Sequence, residues 1–258
     1  MTRVGLCSVT FRDHPCEVVL QRAAENGVQA IEWAGKAELD ASEPQRLAEV
    51  AKASIGTGIE ASSYGSYVRA GVGGAQAQFD IALDATEALG ARNIRVWAGT
   101  AKRADVADEE YARAVRDLAD MSAAAKLRGV TVCVEYHRRT LTEFAPDTVA
   151  LFKDIASDNL FSYWQPVPGR GLAAWCQELD LLSEYLADLH VFHWLPAEGK
   201  DERRPLGEGV DDWSHVMQHR VHSARWPHPA TAYLEFVHDG SEGQFIDDMK
   251  HLKTLCRL

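Results

Sequence analysis

The sequence lacks most of the features that would direct it to nucleic acid, a disulfide scaffold, a membrane or a dinucleotide. Cations are in deficit: 27 Lys and Arg stand against 38 Asp and Glu, a formal net charge of −11. Neutralising a phosphate backbone takes clustered Lys and Arg. The basic doublets Arg138-Arg139 and Arg203-Arg204 are short and flanked by acids. Either doublet suffices to hold one anionic group of a small substrate, and solvated loop charge is the ordinary reading of both; neither tracks a duplex, and no nucleic-acid partner is expected. The five cysteines are odd in number and show no CxxC spacing, which argues against a disulfide framework or a structural zinc site. No apolar run is long enough to span a bilayer, so no membrane partner is expected. The chain enters a strand-like run at Arg3 to Val9 with no signal-like segment before it, and a reducing cytoplasm is the expected location. The loop after that run, Thr10 to Pro15, has no glycine, which weakens a dinucleotide-binding reading.

What is present is a repeating strand–helix unit. Runs rich in Val, Ile, Leu and aromatics fall at 3–9, 28–33, 58–64, 92–98, 130–136, 159–164, 187–193 and 231–237, as buried parallel strands require. Helical patterns fill the gaps. In 108–128, Tyr111, Ala114, Val115, Leu118, Met121 and Ala125 recur at helical spacing, with Asp108 as the expected N-cap. Ser42 to Gln45 and Ser241 to Gln244 read as capping boxes, and Gly27, Gly90 and Gly129 sit where helices should stop. Repeats of about 30 residues are βα units. Eight of them in strict alternation, in a chain of 258 residues, predict one (β/α)₈ TIM barrel domain over residues 1–258, close to the roughly 250 residues usual for that fold.

Such barrels build their sites at the C-terminal strand ends. There the fifth strand closes on Glu135 followed by Tyr136-His137, and the eighth on Glu235. The sixth ends Trp164-Gln165, and the seventh contains His190 and His193. A carboxylate closing an apolar run is costly to bury unless it is paired or bound to a metal. Strands five to eight are neighbours around a barrel, so Glu135, Gln165, His190 and Glu235 can converge on one point. Two carboxylates, an imidazole and an amide oxygen suit Mn²⁺, Mg²⁺ or Co²⁺, and Zn²⁺ less obviously. Taken singly, a strand-end Glu is as readily a structural ion-pair partner, and a barrel His is more often hydrogen-bonded than metal-bound.

In this order the residues resemble the xylose isomerase-like barrels, a group that includes sugar phosphate isomerases and ketose 3-epimerases. The likeness extends to Ile31-Glu32-Trp33, to Ser63-Tyr64-Gly65-Ser66-Tyr67, to Arg95-Val96-Trp97-Ala98-Gly99 and to Arg204 through Gly209. The resemblance implies a divalent metal, Mn²⁺ first, held by Glu135, Gln165, His190 and Glu235. It makes Glu135 and Glu235 acid/base partners as well, and selects His190 over His193 because the family's ligand is followed three residues later by an acidic residue, the place His193 takes. Two departures stand out: Gln165 replaces the family's aspartate, and Pro168 replaces a histidine three residues on. The ligand set thereby loses one negative charge.

Trp33, Trp97, Trp164 and Trp194 end four strands and offer faces for a sugar ring, although large aromatics also plug the upper layer of such barrels. Tyr64, Tyr67, His137 and His193 are further candidate substrate contacts. The charged segment 195–210, with Gly199, Gly207 and Gly209, resembles a lid from which Arg204 reaches a substrate oxygen. The expected partner is a small sugar-like molecule, and the resemblance implies a homo-oligomer. The leading expectation is a metal-dependent isomerase or epimerase working through an enediolate. A lyase or dehydratase using the same α-proton abstraction is the alternative, and a non-catalytic carbohydrate-binding barrel the third.

Overall fold

The computed structural model describes residues 1–35, 39–198, 200–220 and 222–258. In chain order the elements are β1 (Arg3–Cys7), α1 (Cys16–Glu25), β2 (Ala30–Ala34), α2 (Pro44–Thr57), β3 (Glu60–Ala70), α3 (Ala75–Ala88), β4 (Asn93–Ala98) and α4 (Asp108–Leu127). They continue with β5 (Thr131–Glu135), α5 (Ala145–Ile155), β6 (Leu160–Trp164), α6 (Leu172–Leu182), β7 (Leu186–Val191), β8 (His193–Leu195) and β9 (Glu202–Arg204). The last three are α7 (Val210–His219), β10 (Thr231–Leu234) and α8 (Glu242–Leu255). Eight parallel strands close in the order β1-β10-β7-β6-β5-β4-β3-β2, so β10 is the eighth barrel strand, and β8 and β9 form a separate antiparallel pair. This is the expected (β/α)₈ barrel.

Strand alternation sorts the apolar residues into two cores. Leu6, Ile31, Ile94, Val132, Val134, Leu189 and Leu234 point outward beneath the helices. Cys7, Ala30, Cys133, Phe161, Tyr163, Ala187 and Tyr233 fill the barrel. Gly5 lets the Tyr233 ring lie across β1: a Cβ there would stand 2.5 Å from it. Tyr233 Oη meets Ser62 Oγ at 2.8 Å, which gives the buried phenol a partner.

The helix boundaries refine several local expectations. Gly27, Gly90 and Gly129 take φ of +64°, +72° and +70°, as helix stops should. Asp108 is the first helical residue and not the N-cap, which is Ala107. Ser42 bonds Asp40 and does not cap α2, which Pro44 opens after Glu43. Ser241 does cap α8 by accepting the Gln244 N–H at 3.1 Å, but the Gln244 side chain goes to Asp248, so no reciprocal box forms. The segment beyond β7 is the β8–β9 hairpin and a 3₁₀ turn at Leu206–Gly209; Gly199 lies outside the described residues. No helix among the described residues is long and apolar enough to cross a membrane.

His222 ties the segment before β10 to β7. Its Nδ1–H donates to the Ala187 carbonyl at 2.6 Å, and Arg220 Nε donates to its Nε2 at 3.1 Å. Burial, with the Arg220 charge adding to it, lowers its pKa to about 4. Unfolded, the ring titrates near 6.5, so the unfolded chain binds more protons between about pH 6.5 and 4 and stability falls as pH falls through that window. His222→Asn should therefore be less stable than wild type near pH 7. Urea melts should show that gap narrowing by about 2 kcal/mol as pH falls toward 4.

Candidate active site

The inward-facing positions at the C-terminal strand ends carry charge. Cys7, Glu32, Arg95, Glu135, Gln165, His190 and Glu235 all meet there, from β1, β2, β4, β5, the residue after β6, β7 and the residue after β10, and all are buried. β3 contributes Gly65, whose missing side chain makes room: a Cβ would lie 2.7 Å from Arg95 Nη2 and 3.0 Å from Glu32 Oε1.

Arg95 organises this layer. Its Nε donates to Glu32 Oε1 at 3.2 Å and its Nη1 to Glu135 Oε2. Trp97 Nε1 donates to the same Glu135 oxygen, and Gln165 Nε2 donates to Glu135 Oε1 at 3.1 Å. Glu135 thus has both oxygens engaged. Burial alone would raise both carboxyls. Arg95 and then His190 outweigh it, holding Glu32 at about 2 and Glu135 below the usual carboxylate range. Glu235 differs. Its carboxylate accepts no hydrogen bond among the described residues, and its nearest cation is His190 Nδ1 at 3.6 Å. Burial pushes Glu235 up to about 7, against the pull of His190 and with the push of the Glu135 charge.

The donor set fits a divalent ion. Gln165 Oε1, Glu235 Oε2 and Glu135 Oε1 stand 3.4, 3.6 and 4.0 Å from His190 Nδ1. Ligand atoms about 2.1 Å from a shared ion lie roughly 3–3.5 Å apart, so a small inward movement closes the set. On the other side of the ring His190 Nε2 is buried without an aligned hydrogen bond, with Glu32 Oε1 at 3.4 Å. A carboxylate behind the ring is the usual means of orienting a metal-binding histidine. Cys7, His190 and Glu235 also place one ligand atom each within 4.8 Å of one another. Burial disfavours the imidazolium, but Cys7, Glu32 and Glu235 outweigh it and raise the His190 pKa well above its ordinary value; an arriving metal would displace that proton.

A cavity of about 560 Å³ opens over this layer, within the range of small-ligand sites. Glu135, Gln165, Glu235, Trp97 and His137 line it, as do Trp33, Tyr67 and Trp194. His137 stacks on Trp97 with ring centroids 5.3 Å apart, and its Nδ1 bonds the Arg138 carbonyl at 2.5 Å. Four of the residues expected to contact substrate lie elsewhere. Tyr64 is buried on the outer side of β3, its hydroxyl donating to the Leu39 carbonyl at 3.0 Å. Trp164 packs between Trp175 and Trp213 and donates to Glu178 at 3.2 Å. His193 lies against Gly209. Arg204 is held on the hairpin by Glu202 at 2.8 Å and Glu208 at 2.9 Å.

Glu32, Arg95 and Cys7 belong to the cluster, although the sequence reading gave them no role. Glu32 and Arg95 carried a visible signal, a charge inside an apolar strand, the same signal that singled out Glu135. Cys7 carried none beyond its place at a strand end.

The closed (β/α)₈ barrel, with buried carboxylates, an imidazole and a cavity at its C-terminal face, has the architecture of the TIM barrels. The xylose isomerase-like TIM barrel family model matches residues 20–255, and the chain belongs to that family. A sequence search among curated proteins finds no match. Solved structures share the fold at low identity. The probable 3-DHS dehydratase AsbF of Bacillus anthracis is 18% identical with a TM-score of 0.79, covering 98% of this chain and 99% of that one. A D-psicose 3-epimerase is 16% identical with a TM-score of 0.66, covering 98% of both chains. A xylose isomerase-like barrel protein of Mycobacterium smegmatis, in complex with magnesium, is 13% identical with a TM-score of 0.69, covering 99% and 97%.

Gly65→Ala tests the packing of the charged layer. The added methyl must push Arg95 off Glu32 or move a strand, and chemical denaturation should record a loss of about 1–3 kcal/mol. A neutral substitution would show that the Arg95–Glu32 contact does not need that space.

Proposed function

We propose that the chain is an enzyme that removes a proton α to a carbonyl of a small polyhydroxylated substrate, with Glu235 as the group that carries the proton. The supporting observation is the unequal footing of the two glutamates. Glu135 is engaged by Arg95, Trp97 and Gln165, whereas the Glu235 carboxylate accepts no hydrogen bond among the described residues and borders the cavity. One carboxylate is fixed and one is free to exchange a proton.

Glu135, Gln165, His190 and Glu235 would hold a divalent ion, with Mn²⁺ the first choice for these mostly hard donors. Such an ion supplies Lewis-acid stabilisation of the enediolate oxygen. The remaining steps fall to the chain itself. Trp97, with Arg69 and His137 against its ring, lines the cavity and fixes Glu135 through its N–H. The apolar walls formed by Trp33, Trp194 and Phe236 limit water around the carbanion. Glu235 takes the α-proton and returns it to the adjacent carbon while the hydroxyl proton passes from one enediolate oxygen to the other, which is isomerisation.

Epimerisation with a base on each face would require Glu135 to leave Arg95 and Trp97, so isomerisation by one carboxylate is the first reading. Elimination is the second. A single carboxylate that takes the α-proton and hands it to the departing hydroxyl also suits this geometry, and Gln165, which sets this site apart from the family's epimerases, fits it. Both a dehydratase and epimerases use this barrel shape, so the fold does not choose.

Incubating the protein and Mn²⁺ in D₂O with a panel of aldoses, ketoses and their oxidised and phosphorylated forms separates the readings by NMR. Deuterium entering at carbon without loss of water marks isomerisation or epimerisation, which the identity of the product separates, and loss of water marks elimination. Glu235→Gln should slow either reaction by about 10²–10⁴-fold; full turnover by that variant would contradict the assignment.

A further inference from the structure

At the mouth of the cavity two arginines share one aromatic ring. Arg12 follows the 3₁₀ turn Ser8–Phe11 and lines the cavity; Arg203 belongs to β9. Their guanidinium carbons lie 5.7 and 4.1 Å from the centroid of Phe236, and Arg203 is also 5.3 Å from that of Trp194. Neither side chain forms an ion pair among the described residues. The acids near them are committed or turned away: Asp201 pairs with Arg138, and Glu202 and Glu208 pair with Arg204. Asp13 neighbours Arg12 and lines the same cavity, yet makes no ion pair with it.

The ring that both cations approach is held in a strained position. Phe236 has φ of +62°, the left-handed region that a bulky residue rarely adopts. Its N–H donates to Thr10 Oγ1 at 3.0 Å, from the turn that precedes Arg12. Strain of this kind persists where surrounding structure over-determines it, often beside ligands. Arg203 is half-buried, and both that burial and the like charge of Arg12 lower its pKa, while Glu235 opposes them. Two neighbouring cations with no ion-pair partner among the described residues, one of them partly desolvated, favour the arrival of an anion.

We propose that Arg12 and Arg203 form an oxyanion-binding subsite over Phe236 that holds a carboxylate or phosphate group of the substrate. Guanidinium forks match the planar or tetrahedral oxygens of both groups. Glu235 is the residue before Phe236, so a group anchored there sets the rest of the substrate over the charged layer. This inference rests on the cavity being the substrate site and not on the reaction performed there. Of the doublets named above, Arg138 and Arg204 are neutralised and Arg139 is exposed, whereas Arg203 is half-buried against Phe236 and Trp194, two rings that line the cavity.

Calorimetric titration of the full chain tests it without turnover. The probes are inorganic phosphate and two matched pairs, D-gluconate against D-glucitol and D-ribose 5-phosphate against D-ribose. The charged member of at least one pair should bind about tenfold or more tightly than the neutral one, and the pair that shows it identifies the group. Arg12→Gln and Arg203→Gln should each remove most of that preference with an unchanged melting temperature, whereas Arg139→Gln should retain it. Equal binding of charged and neutral probes, no binding of any anion up to about 10 mM, or a preference that survives both substitutions would overturn the proposal. A protein that binds the charged probes and turns over none of the panel compounds keeps the subsite and loses the isomerase reading.

Discussion

The guanidinium of Arg95, buried between Glu32 and Glu135, is the contact on which the upper half of the barrel depends. Three carboxylates and an imidazole stand within one layer of side chains, away from bulk water. Without a fixed cation there, mutual repulsion and desolvation would protonate or expel them. Replacing such a pair with apolar residues is often neutral for stability, so an ion pair in this position is weak evidence of a stabilising device. Its clearest consequence is geometric. It holds Glu135 at a defined place and sets Glu32 behind His190.

That geometry divides the labour of the layer. Glu135, with Arg95, Trp97 and Gln165 on its oxygens, stays ionised and still. Glu235, beside the same His190 nitrogen, has no such partners and lies where burial favours its protonated form. The same contrast continues outward. The chain as a whole is acidic, while Arg12 and Arg203, with no ion pair among the described residues, stand against Phe236 in the cavity wall. A small anion would meet cations at the rim, aromatic walls below them and carboxylates at the floor.

Much of this was legible in the sequence. Eight apolar runs alternating with helical patterns define the barrel, and a carboxylate ending an apolar strand stands out as Glu135 and Glu235 do. Glu32 and Arg95 break their strands in the same way, but their roles needed a partner across the ring, β2 to β4 to β5, which no local pattern supplies. Alternation also separates inside from outside. With Gln165 facing the cavity, its neighbour Trp164 must face the helices, and with Gly65 facing in, Tyr64 must face out. Arg204 faces away from the cavity because Glu202 on the hairpin and Glu208 in the turn after it claim its guanidinium, an arrangement that the spacing alone does not fix. Arg12 and Phe236 are separated by nearly the whole chain and meet because β1 closes the barrel against β10.

A thermodynamic cycle on Arg95 tests the central claim most directly. Arg95→Met should destabilise the protein by about 3–5 kcal/mol, because it leaves two buried carboxylates unpaired. Adding Glu32→Gln and Glu135→Gln to that variant should restore a large part of the loss, giving a coupling of at least about 1 kcal/mol. Measured by urea denaturation at neutral pH, strictly additive losses, or an Arg95→Met cost below about 1 kcal/mol, would contradict the account.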